Sequence, residues 1–210
     1  MTTDAPVLTL ARIEALFLER GAAFYGGEQI TQTEHALQCA SLAQAAGEPE
    51  SVIVAALLHD IGHLLDGCES DLRHQDVAAH ALSACFDAAV VEPVRLHVAA
   101  KRYLCAIDPT YWAGLSPASK ESLVWQGGAY DQSETQNFAA QPHAMAAVRV
   151  RRYDDQAKAL DCVTPSFAHF MPMVQAASLA PPRDASTRRC FDEVPQSGGG
   201  LNGRPIIVEY

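Results

Sequence analysis

The chain has 210 residues, 25 acidic against 15 basic, for a formal charge of −10; 49% are hydrophobic but only 7% aromatic. An acidic balance of this size argues against broad binding to nucleic acid or anionic membranes, both of which require basic surface. The length suits one domain that buries a core without disulfides or structural metal, and the abundance of alanine and leucine favours helix over strand.

Taken in chain order, an amphipathic helix is expected over residues 8–20, ending at Gly21, followed by the glycine-broken loop "FYGGEQIT". Thr33 can cap a second helix running to about Ala46, and the apolar stretch 51–65 reads as a third. After an acidic loop, helices are expected near 73–87 and 92–106. Pro109, Gly114 and Pro117 then interrupt the pattern before a short helix over 117–126. "WQGGAYDQSETQNF" reads as a loop with a helical piece, and a longer helix is expected from Pro142 to Ala159. Residues 8–175 thus form one all-α helical-bundle domain, and the Pro-, Gly- and polar-rich residues 180–210 read as a poorly ordered tail.

Six cysteines occur singly with no CxxC pair, which argues against a zinc finger or a disulfide framework; Cys39, Cys85 and Cys105 fall in helical stretches and read as small buried hydrophobes. No apolar run approaches the roughly 18 residues of a membrane span, and no secretory signal is evident, so a soluble cytoplasmic protein is expected.

The third helix carries the chemistry. "AALLHDIGHLL" sets His59, Asp60 and His63 among apolar residues, where a carboxylate is costly unless it is paired or bound to metal. On a continuous helix His59 and His63 share a face beside Asp60. His35 stands one helix earlier in "TEHALQCASLA", His74 opens "HQDVAAHAL", His97 and Lys101 are four apart, and Arg151 and Asp154 three apart. Imidazole and carboxylate together suit a transition metal such as iron, manganese or zinc. His63, Lys101 and Arg151 each lie a turn or less from one of these residues, and cations gathered in an acidic protein point to an anionic ligand. Ser119 and Ser122, with the free N–H groups of the helix starting near Pro117, can complete an oxyanion cradle.

The pattern "H…HD…H…H…D" resembles the HD-domain superfamily. "FYGGE", "LLHDIGHLL", "HVAAKRYL", "LSPASKESLVWQGG" and "VRRYDDQAK" together, spanning residues 20–165, resemble the mixed-valent diiron oxygenases of the PhnZ and TmpB type, which cleave phosphonates. That resemblance implies two irons, Fe(II) and Fe(III), with O2 as cosubstrate. It implies His35, His59, Asp60 and Asp154 around one ion and Asp60, His74 and His97 around the other, with Asp60 shared. His74 is preferred to its rival His80 because Ala78 and Ala79 follow at the usual distance, and Asp154 is preferred to Asp155 by its spacing from Arg151.

The same resemblance implies that His63, Lys101, Arg151, Ser119 and Ser122 bind phosphonate oxygens, and that Tyr25 and Glu28 sit over the substrate, with Glu28 sensing its amino group. The expected reaction is oxidative cleavage of the C–P bond of a 1-hydroxy-2-aminoethylphosphonate or its N-trimethyl analogue, releasing phosphate with glycine or glycine betaine. A partner hydroxylase would supply the 1-hydroxy substrate. Tyr25, Tyr103, Trp112 and Tyr130 are the aromatic residues considered for a trimethylammonium group. The rival reading, from the HD pair alone, is a metal-dependent phosphohydrolase acting on a nucleotide or phosphate ester.

Overall fold

In the computed structural model, which describes residues 8–65 and 73–179, helix boundaries follow capping chemistry more closely than hydrophobic pattern. Helix α1 (Leu10–Arg20) starts at Thr9, whose hydroxyl accepts the Arg12 N–H. Helix α2 (Gln32–Ala45) starts earlier than expected, because Thr31 and Glu34 form a reciprocal capping box that satisfies two otherwise unpaired donors. Thr33 instead spends its hydroxyl on the Phe17 carbonyl, 3.4 Å away.

Helix α3 (Glu50–Leu58) is buried without a break from Val52 to Leu58, so it is a central element with no solvent face. Fully burying a leucine such as Leu57 or Leu58 stabilises the fold by about 1.5–3 kcal/mol. The helix does not continue to Leu65 as expected. It stops before His59, Asp60 adopts φ −105° and ψ 11°, and a 3-10 turn covers Ile61–Leu64. That backbone region is sparsely allowed and is often used where a side chain must be aimed. The turn also needs Gly62: a Cβ there would lie 2.1 Å from the His74 carbonyl oxygen. His59 and His63 are therefore on different elements and do not share one helix face.

Helix α4 (His74–Leu82) ends before Cys85, which sits in the following turn with its thiol donating to the Leu8 carbonyl at 2.8 Å. Cys39 is buried in helix as expected, and Cys105 is only half-buried. Helix α5 (Ala88–Ile107) starts at Asp87, whose carboxylate accepts the Ala89 N–H, and it accommodates Pro93 in its second turn. The interruption expected around Pro109 is itself a short helix, α6 (Pro109–Gly114), with proline at a position that needs no N–H and Asp108 as its cap. Helices α7 (Pro117–Trp125), α8 (Gln132–Ala139) and α9 (Ala144–Gln156) follow, and α10 (Phe167–Ala177) adds a helix beyond those read from the sequence.

Among the described residues there are ten α-helices, and the only β pairing is in two isolated bridges. Helix α5 packs against α3, α4 and α9, while α2 packs against α3 and α9. Buried alanines at 36, 40, 43, 55, 56, 78, 100 and 147 let these helices approach closely. The residues that converge on the site come from this group of helices. No helix among the described residues is long and apolar enough to cross a membrane. Residues 8–179 belong to one compact unit, and the tail expected over 180–210 lies outside the described residues.

Candidate functional site

Six buried side chains meet where these helices cross. His35 comes from α2, His59 and Asp60 from the end of α3, His74 from the start of α4, His97 from α5 and Asp154 from α9. His35 Nε2 lies 3.3 Å from His59 Nε2, and His74 Nε2 lies 3.0 Å from His97 Nε2. Asp60 stands between the pairs: Oδ2 is 3.2 Å from His59, and Oδ1 is 3.2 Å from His74 and 3.4 Å from His97. Asp154 reaches His35 at 3.5 Å and His59 at 3.7 Å.

Main-chain carbonyls fix how these rings present themselves. The Nδ1 atoms of His35, His59 and His97 lie 2.8, 2.8 and 2.7 Å from the carbonyl oxygens of Ala157, Ala56 and Val94. A carbonyl only accepts, so each Nδ1 carries the proton and each neutral ring turns its Nε2 lone pair toward the cluster. The lone pairs of His35 and His59 then face each other, and that of His97 faces a carboxylate oxygen. Asp60 Oδ1 is buried and accepts no hydrogen bond. Such a convergence of acceptors calls for positive charge at its centre, and the donor set fits metal ions.

The electrostatics carry the same message. Burial alone would depress the His59 pKa, but the carboxylates of Asp60 and Asp154 more than offset it and raise it to about 9, so the surroundings of this ring favour positive charge. Burial dominates at His35 and His97 and lowers each to about 4. Burial would raise Asp154, yet the Arg151 guanidinium and the nearby imidazoles hold it below the usual carboxylate range. Two groups have donor atoms close enough together to hold an ion: His35, Cys39 and His59, and Asp60, His74 and His97. The Cys39 thiol, 3.6 Å from His35 Nε2, is kept protonated by its burial.

The rival residues lie elsewhere. His80 is exposed, while His74 is buried in the cluster. Asp155 pairs with Arg151 and Tyr111 instead of joining the imidazoles.

A cavity of about 400 Å³ opens onto one side of the cluster. Asp60, His74, His97 and Asp154 line it, together with His63, Lys101, Ser119, Ser122, Arg151, Tyr25 and Glu28. Lys101 donates to Ser122 Oγ at 2.8 Å, joining α5 to α7. Arg151 donates to Asp154 at 2.6 Å and also engages Asp155 and Tyr111, so its fork is already held by this chain's own acceptors. His63 stacks on His74 with ring centroids 4.3 Å apart.

The "YGGE" loop closes over the cluster. Phe24 bridges to Thr31, Tyr25 stacks on His35 at 3.7 Å, and its hydroxyl donates to Asp154 at 3.1 Å. Gly26 and Gly27 take φ of 41° and 82°, which a side chain would resist.

Sequence reasoning missed Lys158. Its ammonium donates to Glu28 at 2.9 Å and to Ser116 and Ser119 at 3.1 Å each, tying the loop to the start of α7. The signal was available in "RRYDDQAK", since Lys158 stands four residues after Asp154. Helix α9 ends at Gln156, however, so helical spacing does not place it. Gln126, one turn beyond Ser122, also lines the cavity, and its buried Oε1 accepts no hydrogen bond.

Comparison with known proteins gives three findings. Residues 33–109 match the HD domain family. The chain is 43% identical over 171 residues to the glycine-betaine-forming 1-hydroxy-2-(trimethylamino)ethyl phosphonate dioxygenase of Leisingera caerulea, covering 78% of this chain and 87% of that one. It is 40% identical over 176 residues to the hydroxymethylphosphonate dioxygenase of Gimesia maris, covering 79% and 87% respectively.

Proposed function

Because the chain belongs to the family of HD-domain phosphonate dioxygenases, we propose that it oxidatively cleaves the C–P bond of a 1-hydroxyalkylphosphonate with O2, releasing phosphate. Written with R for the distal group, RCH(OH)PO3(2−) and O2 give RCO2(−) and H2PO4(−), which balances in atoms and charge. With an aminomethyl or trimethylaminomethyl R, the carboxylate is glycine or glycine betaine. The observation that carries this reading is one cavity lined both by members of a histidine–aspartate cluster and by Lys101, Arg151 and Lys158, three cations gathered in a chain of net charge −10.

In this reading His35, His59, Asp60 and Asp154 hold one iron, and Asp60, His74 and His97 hold the other, in a mixed-valent Fe(II)/Fe(III) pair. Bound iron supplies the redox and Lewis-acid chemistry through which O2 oxidises the carbon attached to phosphorus. The chain's own groups do the rest. Lys101, with Ser122 at 2.8 Å, meets the phosphonate oxygens, His63 adds a donor, and Arg151, although its guanidinium is engaged by Asp154, Asp155 and Tyr111, adds positive charge to the lining. Ser119, in the first turn of α7, adds a hydroxyl to the lining, while its own N–H is taken by the Ser116 cap. Tyr25, whose phenol is held protonated by burial and by Asp154, covers His35 and restricts water on that side of the cluster.

The test is phosphate release from iron-loaded protein given hydroxymethylphosphonate, 1-hydroxy-2-aminoethylphosphonate or its N-trimethyl form. Release in air from at least one of them, abolished by removing O2, is the expected result. Anaerobic cleavage of phosphate esters with no aerobic phosphonate turnover would instead make the protein a phosphohydrolase.

A further inference from the structure

The reaction leaves the distal end of the substrate undefined, and four rings were candidates to receive a trimethylammonium group there. Each already has a partner. Tyr103 packs on Phe138 with centroids 4.9 Å apart, Tyr130 lies beneath the Arg102 guanidinium at 4.3 Å, and Trp112 lies beneath the Lys120 ammonium at 4.8 Å. None of these three is among the residues described as lining the cavity. Tyr25 does line it, but its ring stacks on His35 and the Lys158 ammonium stands 5.8 Å from its centroid. Among the described residues the other Phe, Tyr or Trp ring in the lining is Phe24, which is 74% exposed.

A quaternary ammonium has no N–H and depends on aromatic faces and an unneutralised carboxylate for its recognition. The carboxylate is also taken. Glu28 accepts from Lys158 at 2.9 Å, and although burial alone would raise its pKa, Lys158 and Ser116 hold it below the usual range. The pair therefore presents little net charge to an incoming cation, and Lys158 itself repels one. A small neutral end meets no such penalty, and a primary ammonium can still donate hydrogen bonds to Glu28 and the serine hydroxyls.

Resting on the dioxygenase reading, we propose that Lys158 is a specificity-determining residue: by occupying Glu28 and one side of Tyr25, it restricts the site to 1-hydroxyphosphonates whose distal end is small or hydrogen-bonding and disfavours a quaternary ammonium.

The test measures binding of the three phosphonates to full-length, iron-loaded protein by calorimetry without O2, and phosphate release from each in air. The trimethyl compound should bind about tenfold or more weakly than the other two, the scale of one desolvated cation–π contact. Lys158→Met should narrow that gap, and Lys158→Arg, which keeps the cation, should preserve it. Equal or tighter binding of the trimethyl compound by the unaltered protein overturns the inference. So does an equal loss for all three in a folded Lys158→Met, which would make Lys158 a structural tie. In either case phosphate release in air from any of the three leaves the dioxygenase reading standing, whereas the absence of release from all three removes that reading itself.

Discussion

His35 and His59 lie behind the cavity wall, whereas His74 and His97 line it, although both pairs are buried imidazoles joined through Asp60. The rear half is finished by the protein: Tyr25 covers His35, and Asp154 receives hydrogen bonds from Tyr25 and Arg151. The front half is less complete. Its carboxylate oxygen, Asp60 Oδ1, accepts no hydrogen bond, and His63 stacking on His74 forms part of the cavity surface. The same residue types thus make one pair of imidazoles covered by neighbouring side chains and one that lines the cavity, with Asp60 and Asp154 reaching it from both halves.

The most severe way to break this contrast is Asp60→Ala, because that carboxylate touches both halves. We expect the purified variant to lose both metal ions, read as iron per chain by elemental analysis, with no phosphonate turnover. Retention of two ions would mean that the halves are held independently. A smaller effect is expected from His74→Ala, which should remove the front ion, abolish turnover and leave the rear ion bound. His80→Ala, on the exposed side of the same helix, should keep both ions. If His80→Ala were the damaging change, the front half would be wrongly assigned. The mildest change sharpens the comparison from the cavity side. Lys101→Met removes a buried cation that donates to Ser122 and is not one of the six residues proposed to hold metal, so metal content should be unchanged. Losing a charge-assisted contact costs about 1.5–3 kcal/mol, so KM should rise by about tenfold or more. Metal loss in this variant would show that Lys101 supports the cluster instead of the substrate.

The chain's own residues made much of this legible. Helical content followed from composition and period, and the costly placement of Asp60 among leucines announced a need for positive charge before any partner was known. His35 and His97 stand out because each sits beside small apolar residues on a recognisable helix, and Asp154 because of its three-residue spacing from Arg151 and the family resemblance. Hydrophobic pattern carries the helix of His59 on to Leu65, because it has no means of registering a backbone that turns at Asp60. The approach of α4 to Gly62, a contact between segments twelve residues apart, leaves no room for a side chain in that turn.

Sequence by itself determined which groups needed partners: a carboxylate and imidazoles in apolar helices, and cations in an acidic chain. Tertiary structure decided which partners they obtained. Lys158 became the counter-ion of Glu28 because α9 ends at Gln156 and the following loop brings its ammonium to 2.9 Å from a carboxylate 130 residues away. Arg151, read as a cation for substrate, has its guanidinium engaged by Asp154, Asp155 and Tyr111. Periodicity reports faces within one helix; pairing of charges across loops depends on distances that only the packed chain sets.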